Sequence, residues 1–274
     1  MAEQPAGTRV LPPAPVPTGR LGFEMPPVFA TAGEERAHRK ERLAGVLRLL
    51  GRLGYEDGVG GHVSARDPEF EDCYWVNPFG RAFGAIGPDD LLLVDGEGRV
   101  RQGERRVNQL AFAVHAAVHR ARPAVVAVVR TQAPYGRALA ALGELLAPVT
   151  QEACAFYEDH ALLDEFLGGG ALGGGVAGYG DAERIAGALG PYKALVLRNL
   201  GVLTVGDSVE AAAWWFIAAE RAAQVQLIAR AAGKAVLISH HSALATRERF
   251  GSDLAAWVNC QPLLEAAGAG ASTS

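Results

Sequence analysis

Residues 125–132 have the sequence Val-Val-Ala-Val-Val-Arg-Thr-Gln, and this stretch decides how the rest of the chain is interpreted. A run of β-branched and small apolar residues is typical of a strand that is buried on both faces. Side chains two positions apart on a strand point to the same face, so Arg130 and Gln132 share a direction at the strand's end. A guanidinium beside an amide is suited to bind a carboxylate or a developing oxyanion. We therefore predict a ligand site at this strand end, the alternative being an arginine that simply leaves the sheet and is solvated.

Helical and strand-like segments alternate on both sides of this strand. Polar and glycine-rich turns separate the segments, and Pro123 ends the helix before the strand. Interleaved strands and helices predict an α/β or α+β chain in which helices cover a sheet. The predicted helices are 34–53, 108–121, 135–142, 181–189 (capped by Asp181) and 209–232 (capped by Ser208), and the further predicted strands are 62–66, 74–77, 91–94, 194–197 and 202–205.

The two ends of the chain differ in composition from its middle. Residues 1–33 contain seven of the fifteen prolines, which remove backbone donors and fix φ, so we expect an extended or disordered arm there. Residues 266–274 are low in complexity and are predicted to be a disordered tail. One folded domain is therefore expected over residues 34–265.

Composition and charge exclude several classes of function. The net charge of −4 comes without a long basic run, so we expect no nucleic-acid partner. Charged residues interrupt the most apolar long stretch, 209–233, so no membrane span is predicted. The three cysteines are far apart and odd in number, which argues against a disulfide framework. The N-terminus lacks a basic patch followed by an apolar segment, so a cytoplasmic location is expected.

Three further patterns are candidates for chemistry. Tyr157-Glu158-Asp159-His160 puts four titratable groups in four residues, which suits acid–base catalysis but also a polar loop whose histidine caps the next helix. His115 and His119 share a helix face, but Ala116 stands where a zincin glutamate would be, so packing histidines are the favoured interpretation. The spacing Gly173-x-Gly175-x-x-Gly178 formally matches a dinucleotide fingerprint, but no convincing strand precedes it. We interpret that segment as a flexible loop and expect no cofactor.

Several motifs, taken together, resemble the class II aldolase/adducin family over roughly residues 34–265. They include Gly61-His62-Val63-Ser64-Ala65-Arg66-Asp67-Pro68, Val76-Asn77-Pro78-Phe79-Gly80, Lys193-Ala194-Leu195-Val196-Leu197-Arg198-Asn199 and Leu203-Thr204-Val205-Gly206. The resemblance implies a three-layer α/β/α fold around a mainly antiparallel central sheet. It also implies a homo-oligomer, commonly a tetramer, with sites at subunit interfaces. Substrate-binding positions would then be His62, Asn77, Gly80, Gln132 and Asn199.

The same resemblance implies a departure from the family's metal chemistry. Its enzymes bind a divalent metal through a His-x-His pair after the buried strand and a third histidine in a later turn. The matching positions here are Arg130, Gln132 and Leu200, and the catalytic glutamate position reads Ala111. No metal ligand is therefore expected at the family's site.

Three hypotheses about function follow. The first is a metal-independent lyase, cyclase or isomerase that acts on a small carbonyl- or carboxylate-bearing molecule in bacterial specialised biosynthesis. In it Arg130 replaces the metal as electrostatic stabiliser, and Tyr157, Glu158 or His160 moves protons. The second is a non-catalytic, adducin-like binding or scaffold protein. The third is a metal site rebuilt from other ligands, for instance His62 with His160 and a carboxylate.

Overall fold

The computed structural model of the chain describes residues 25–167 and 179–268. Its strands are β1 (His62–Arg66), β2 (Cys73–Val76), β3 (Leu92–Asp95), β4 (Val100–Gln102), β5 (Ala127–Arg130), β6 (His160–Leu163), β7 (Ala194–Leu197) and β8 (Gly201–Gly206). Its helices are α1 (Ala32–Arg52), α2 (Gln109–Ala121), α3 (Pro134–Leu142), α4 (Tyr179–Leu189), α5 (Val209–Ala232), α6 (His240–Phe250) and α7 (Asp253–Ala266).

All these strands form one sheet with the order β4-β3-β2-β1-β5-β8-β7-β6. Neighbouring strands are antiparallel except β6 and β7, which are parallel, so the expected mainly antiparallel sheet is confirmed. The valine-rich strand β5 lies near the middle, between β1 and β8. Its last residue, Arg130, is paired with His62 of β1 on one side and with Leu203 of β8 on the other.

Helices cover both faces of the sheet, which confirms the three-layer arrangement. Alternate residues of β5 point to opposite faces. Ala127 and Val129 pack against α1 and α5 in one core cluster, whereas Val128 packs against α2 and α4 in another. By the same alternation Arg130 faces the layer of α2 and α4.

Capping side chains fix where several helices begin. Ser208 accepts a hydrogen bond from the Ala211 N–H at the start of α5, as predicted, and Asn108 does the same for α2 through the Ala111 N–H. Asp181 was expected to cap its helix, but it lies inside the first turn of α4, which already includes Tyr179. Side-chain oxygens at these positions satisfy backbone donors that the first turn leaves free.

Some sequence predictions fall outside the described residues. These are the proline-rich arm up to residue 24, the glycine-rich segment 168–178 with the fingerprint Gly173, Gly175 and Gly178, and the tail beyond residue 268. The helix α1 starts at Ala32, two residues before the predicted domain boundary, and α7 ends at Ala266. Among the described helices, none combines the length and the apolar character needed to cross a bilayer.

Candidate functional site

Arg130 is a buried cation with few partners. Its side chain is 7% exposed at the end of β5, and its hydrogen bond within the described residues runs from Nη2 to the Leu200 carbonyl at 3.4 Å. Within residues 25–167 and 179–268, no carboxylate forms an ion pair with it. Burial, and the charge of Arg137, lower the pKa of Arg130 to about 10. A buried charge without a counter-ion costs several kcal/mol, so this position is suited to an anionic ligand.

His62 lies next to Arg130 across the β1–β5 ladder. Its ring meets the ring of His115 edge to face, with centroids 4.6 Å apart, and also contacts Phe112. Neither ring nitrogen has a hydrogen-bond partner in the described part of the chain. Burial, and then the charge of Arg130, lower the pKa of His62 to about 3, so the ring is neutral. A neutral imidazole can donate to a ligand from one nitrogen and accept at the other.

Buried polar atoms that lack a partner among the described residues are concentrated at this end of the sheet. They are His62 Nδ1 and Nε2, His115 Nε2, Asn108 Nδ2 and Thr131 Oγ1. Native structures leave few such atoms, and each requires an explanation. Because His62 and His115 face the same layer as Arg130, a polar ligand bound beside Arg130 would explain their three nitrogens.

A separate, small cleft lies at the start of β1, and Arg130 is not among its lining residues. Its lining includes Gly61, Asn77, Gly80 and Asn108. The Asn77 amide accepts from the Val63 N–H at 2.9 Å and donates to the Gly61 carbonyl at 3.2 Å, so it holds the cleft's wall in place. Gly80 has a φ of +73°, and no atom lies within 4 Å of where its Cβ would be. A side chain there would be strained, so the turn at this position favours glycine.

Gln132 and Asn199 flank Arg130 on the solvent side. Gln132 is partly buried two residues beyond Arg130, whereas Asn199 is exposed in the β7–β8 turn with a φ of +61°. The Asn199 backbone N–H donates to the Ala140 carbonyl at 3.2 Å, which fixes the turn. The next residue, Leu200, supplies the carbonyl that accepts from Arg130. Both predicted residues are thus placed near Arg130 by chain position, Gln132 two residues after it and Asn199 directly before the residue that it contacts.

The acid–base run at 157–160 is not brought to Arg130 within one chain. The ladder connects Arg130 through Leu203 and Leu195 to Ala161, three strands and about 14 Å away. Ala161 packs against the α2–α4 layer, so its neighbour His160 points to the other face of the sheet. The interpretation that these groups share a cleft with Arg130 needs correction for the single chain, and so does the ligand set that joins His62 to His160.

The side chains of this run have separate surroundings. His160 is held by the backbone on both ring nitrogens, accepting from the Leu146 N–H at 2.9 Å and donating to the Phe156 carbonyl at 2.6 Å. The Tyr157 hydroxyl is 3.0 Å from His240 Nδ1, and Glu158 lies 3.6 Å from the same nitrogen. Tyr157 and Glu158 thus belong to an exposed contact with α6, and His160 is a packing residue of β6.

The two histidines of α2 contact a serine that sequence reasoning missed. Ser64 Oγ lies 2.8 Å from His115 Nδ1 and 2.9 Å from His119 Nε2, and the ring of His119 stacks on Tyr74. Both histidines are buried, as the packing interpretation expects. The available signal was the alternation of His62 and Ser64 on β1 together with the four-residue spacing on α2, because both patterns direct side chains to the same interface.

The residues at the family's three metal positions do not fit a divalent cation bound by imidazoles. The guanidinium of Arg130 has no lone pair to donate, Leu200 has no donor atom in its side chain, and Gln132 offers a single amide oxygen. Among residues 25–167 and 179–268, no group of three or more His, Cys, Asp or Glu side chains is arranged to hold a metal ion.

The family model described as "Class II Aldolase and Adducin N-terminal domain" matches residues 41–227, and the chain belongs to the class II aldolase/adducin family. Decarboxylase NovR of Streptomyces niveus is 45% identical over 247 residues, covering 89% of each chain. A Streptomyces roseochromogenus subsp. oscitans protein named 4-hydroxy-3-prenylphenylpyruvate oxygenase/4-hydroxy-3-prenylbenzoate synthase is 45% identical over 246 residues, covering 89% of this chain and 87% of its own length. The solved structure of L-fuculose 1-phosphate aldolase from Glaciozyma antarctica PI12 superposes with a TM-score of 0.81 at 40% identity, covering 88% of this chain and 93% of that one.

Proposed function

We propose that this chain is a metal-independent, lyase-type enzyme that cleaves a carbon–carbon bond in a small carboxylic acid, within a bacterial natural-product pathway. The buried guanidinium of Arg130, which has no ion-pair partner in the described part of the chain, carries the proposal. We further propose an aryl-substituted 2-oxo or 2-hydroxy acid as the substrate class. Arg130 binds the substrate's carboxylate, and Gln132 and Asn199 orient the molecule at the rim of the site.

The electrostatics of the site support this role for Arg130. Its planar guanidinium can bind both oxygens of a carboxylate in parallel, which gives orientation as well as attraction. When a proton leaves the carbon next to the carbonyl group of a 2-oxo acid, the electron pair of that C–H bond moves onto the carbonyl oxygen and gives an enolate. Loss of the carboxylate as CO2 then needs O2 as the oxidant, in the balance 2-oxo acid + O2 → 2-hydroxy acid shorter by one carbon + CO2, and one relative is named an oxygenase. A fixed cation next to that oxygen stabilises the enolate without reorganisation, an effect worth about 10²–10³ in rate for a single donor.

The names of the two Streptomyces relatives support the substrate class. One is named a decarboxylase, and the other is named for a phenylpyruvate and a benzoate, both of which are aryl carboxylates. Both relatives are matched over most of their length, so the comparison is with the complete relatives and not with one of their domains.

Metal independence is supported by the donor set and by charge. A guanidinium about 4 Å from a dication would repel it by roughly 8 kcal/mol at an effective dielectric of 20. The proposal also includes a homo-oligomer, in the first instance a tetramer, as the family resemblance implies. It further includes a cytoplasmic location.

The test is a turnover assay on chelator-treated, full-length protein whose metal content is checked by elemental analysis. Phenylpyruvate and 4-hydroxyphenylpyruvate are offered in air and under argon, and CO2 release and O2 uptake are measured, since one relative is named an oxygenase. We expect the metal-free protein to release CO2 and take up O2 in equal amounts in air, to release no CO2 under argon, and to lose both activities in Arg130→Met.

Two outcomes would replace the proposal. Activity that returns only with an added divalent metal would favour a rebuilt metal site, for which the two His62 nitrogens and His115 Nε2, all without a partner among the described residues, are the starting point. Carboxylates that bind at Arg130 without any turnover would favour an adducin-like binding protein.

A further inference from the structure

A chain of hydrogen bonds runs through the buried interface between β1 and α2. The Ser64 hydroxyl lies between two imidazoles, 2.8 Å from His115 Nδ1 and 2.9 Å from His119 Nε2. The second nitrogen of His119, Nδ1, faces the Val125 carbonyl at 3.3 Å. All three side chains are buried, so protein groups determine where the hydrogens lie.

The donor and acceptor of every hydrogen bond in this series follow from the Val125 carbonyl at its end. A carbonyl can only accept, so His119 carries its hydrogen on Nδ1, and a neutral ring then leaves Nε2 as an acceptor. Ser64 has one hydroxyl hydrogen and donates it to that nitrogen. The Ser64 oxygen in turn accepts from His115 Nδ1–H. The remaining nitrogen of His115, Nε2, is therefore left with a bare lone pair.

Both imidazoles are held neutral by their surroundings. Burial, and next the charge of Arg66, lower the pKa of His119 to about 3. Burial, and next the neighbouring His62, lower the pKa of His115 well below its usual range. Since neither ring is protonated near neutral pH, the direction of the chain is maintained under physiological conditions.

The bare nitrogen lies beside the carboxylate site. His115 Nε2 is buried and has no partner in the described part of the chain. The His115 ring is 4.6 Å from the ring of His62, and His62 is paired across the ladder with Arg130. The His62 imidazole therefore lies between this acceptor and Arg130. A ligand whose carboxylate is bound at Arg130 would contact His115 Nε2 with the carbon next to that carboxylate, and not with a distant ring substituent.

We propose that His115 Nε2 accepts a hydrogen bond from a hydroxyl on the carbon next to the substrate's carboxylate, and that Ser64 and His119 are positioning residues that fix the His115 tautomer. The site then selects 2-hydroxy acids, or the enol form of 2-oxo acids, over acids without a hydroxyl donor at that carbon. The inference rests on the proposed function in one respect, namely that Arg130 binds the carboxylate.

Three aryl acids of similar size test the selectivity: mandelate has a hydroxyl donor, phenylglyoxylate has only a carbonyl acceptor, and phenylacetate has neither. Calorimetric titration of the full-length protein should show mandelate binding roughly 10- to 100-fold more tightly than the other two, the value of one satisfied buried hydrogen bond. Equal binding of the three, all lost in Arg130→Met, would overturn the role of His115 but retain the carboxylate site. Binding that Arg130→Met leaves unchanged would instead overturn the proposed function.

Substitutions at His119 test the positioning chain. His119→Leu removes the acceptor, so Ser64 turns its hydrogen toward His115 Nδ1 and the His115 hydrogen moves to Nε2. We expect the preference to shift from mandelate toward phenylglyoxylate, and long-range 1H–15N spectra to show the changed tautomer of His115. His119→Gln returns an acceptor oxygen near the position of Nε2 and should retain the wild-type preference and tautomer.

Ser64→Ala is the second variant, for use if His119→Leu does not fold, and it should reduce the preference for mandelate at least severalfold. Its matched control is Thr204→Val, which removes another buried hydroxyl, bonded to the Ala212 carbonyl at 2.8 Å, and should leave the preference unchanged. An unchanged tautomer and preference in both Ser64→Ala and His119→Leu would overturn the positioning role.

Discussion

Two buried cations, Arg130 and Lys193, are about equally hidden from water but differ in what surrounds them. Lys193 is 8% exposed, and its ammonium donates to the Ala155 and Gly251 carbonyls, pairs with Asp159 at 2.9 Å and lies 4.2 Å from the ring centre of Trp215. Arg130 is 7% exposed, and within residues 25–167 and 179–268 it makes one long hydrogen bond, to the Leu200 carbonyl. The protein compensates the burial of one cation with its own groups and leaves the other available to a ligand.

Under the proposed function, this difference distinguishes a structural charge, Lys193, from a functional one, Arg130. Lys193 connects the segment before β6 to the loop before α7, so its partners come from distant parts of the chain. Replacing a well-paired buried cation leaves its partners unsatisfied, whereas replacing an unpaired one removes a desolvation cost. Replacing Lys193 should therefore lower stability but retain activity. Replacing Arg130 should lower activity but retain stability.

The largest effect is expected on activity, at Arg130. Arg130→Met should reduce kcat/KM at least 100- to 1000-fold, because it removes the electrostatic stabiliser. The free energy of unfolding should stay the same or rise, since an apolar side chain replaces a buried charge without partners. Chemical denaturation and CO2-release assays measure the two quantities. The control Arg230→Met changes a half-exposed arginine paired with Glu144 and should leave both nearly unchanged. A marked loss of stability in Arg130→Met would mean that the protein itself compensates this charge.

The next effect is expected on stability, at Lys193. Lys193→Met should lower the free energy of unfolding by about 3 kcal/mol, because Asp159 and two carbonyl groups lose a buried partner. The folded fraction should retain wild-type kcat and KM, measured well below the midpoint of denaturation. Lys234→Met is the matched control at an exposed lysine and should change neither quantity. A selective loss of kcat in stable Lys193→Met protein would contradict the structural assignment.

The histidines behind Arg130 should make stability depend on pH. Their folded-state pKa values, about 3 for His62 and His119, lie below the unfolded value near 6.5. The unfolded chain therefore binds more protons between about pH 3 and pH 6.5, and stability falls as the pH is lowered through that window. From pH 7 to pH 5 we expect a loss of about 2 kcal/mol for each such histidine.

His119→Gln isolates this contribution, because glutamine does not titrate in either state. Denaturation of both proteins at pH 7 and pH 5 should give a pH effect about 2 kcal/mol smaller in the variant. Burial and the neighbouring Asp253 raise the pKa of Asp207 to about 6, which acts in the opposite direction, but this effect is common to both proteins and cancels in the difference. Equal pH effects in the two proteins would show that the pKa of His119 is the same in the folded and unfolded states, which would contradict its burial as a neutral ring.

Local patterns were sufficient to predict most of the fold near Arg130. The β-branched run gave β5 within two residues, and Ser208 and the proline before Arg130's strand marked real boundaries. The strand β4 was missed because it has three exposed residues and no alternation of apolar side chains. The strand β6 was missed because it follows an acidic run, and its partner β7 is about 30 residues away in sequence.

The site was predictable only in part, because some of its contacts join segments that are distant in sequence. A strand end is a local signal, so Arg130 and Gln132 could be chosen from the sequence. Which face each side chain of a strand takes depends on its pairing partners, so the sequence could not tell that His160 and Arg130 lie on opposite faces. Nor could it show that Ser64 bridges His115 and His119, since that contact requires β1 and α2 to be packed together.

The smallest effect is expected at His160. A substitution there tests directly whether this part of the sheet acts independently of the Arg130 site. His160→Gln keeps an acceptor for the Leu146 N–H but loses the Nδ1–H bond to the Phe156 carbonyl, so we expect a loss of about 1 kcal/mol in the free energy of unfolding. Turnover and its pH profile should be unchanged, with His241→Gln as the exposed control. A general acid or base contributes 10²-fold or more, so a loss of that size would place His160 in the catalytic machinery. Because His160 lies on the opposite face of its own sheet, it could reach a substrate only at an Arg130 site of a second subunit. Mixed oligomers of Arg130→Met and His160→Gln chains would then recover part of the activity that each variant lacks alone.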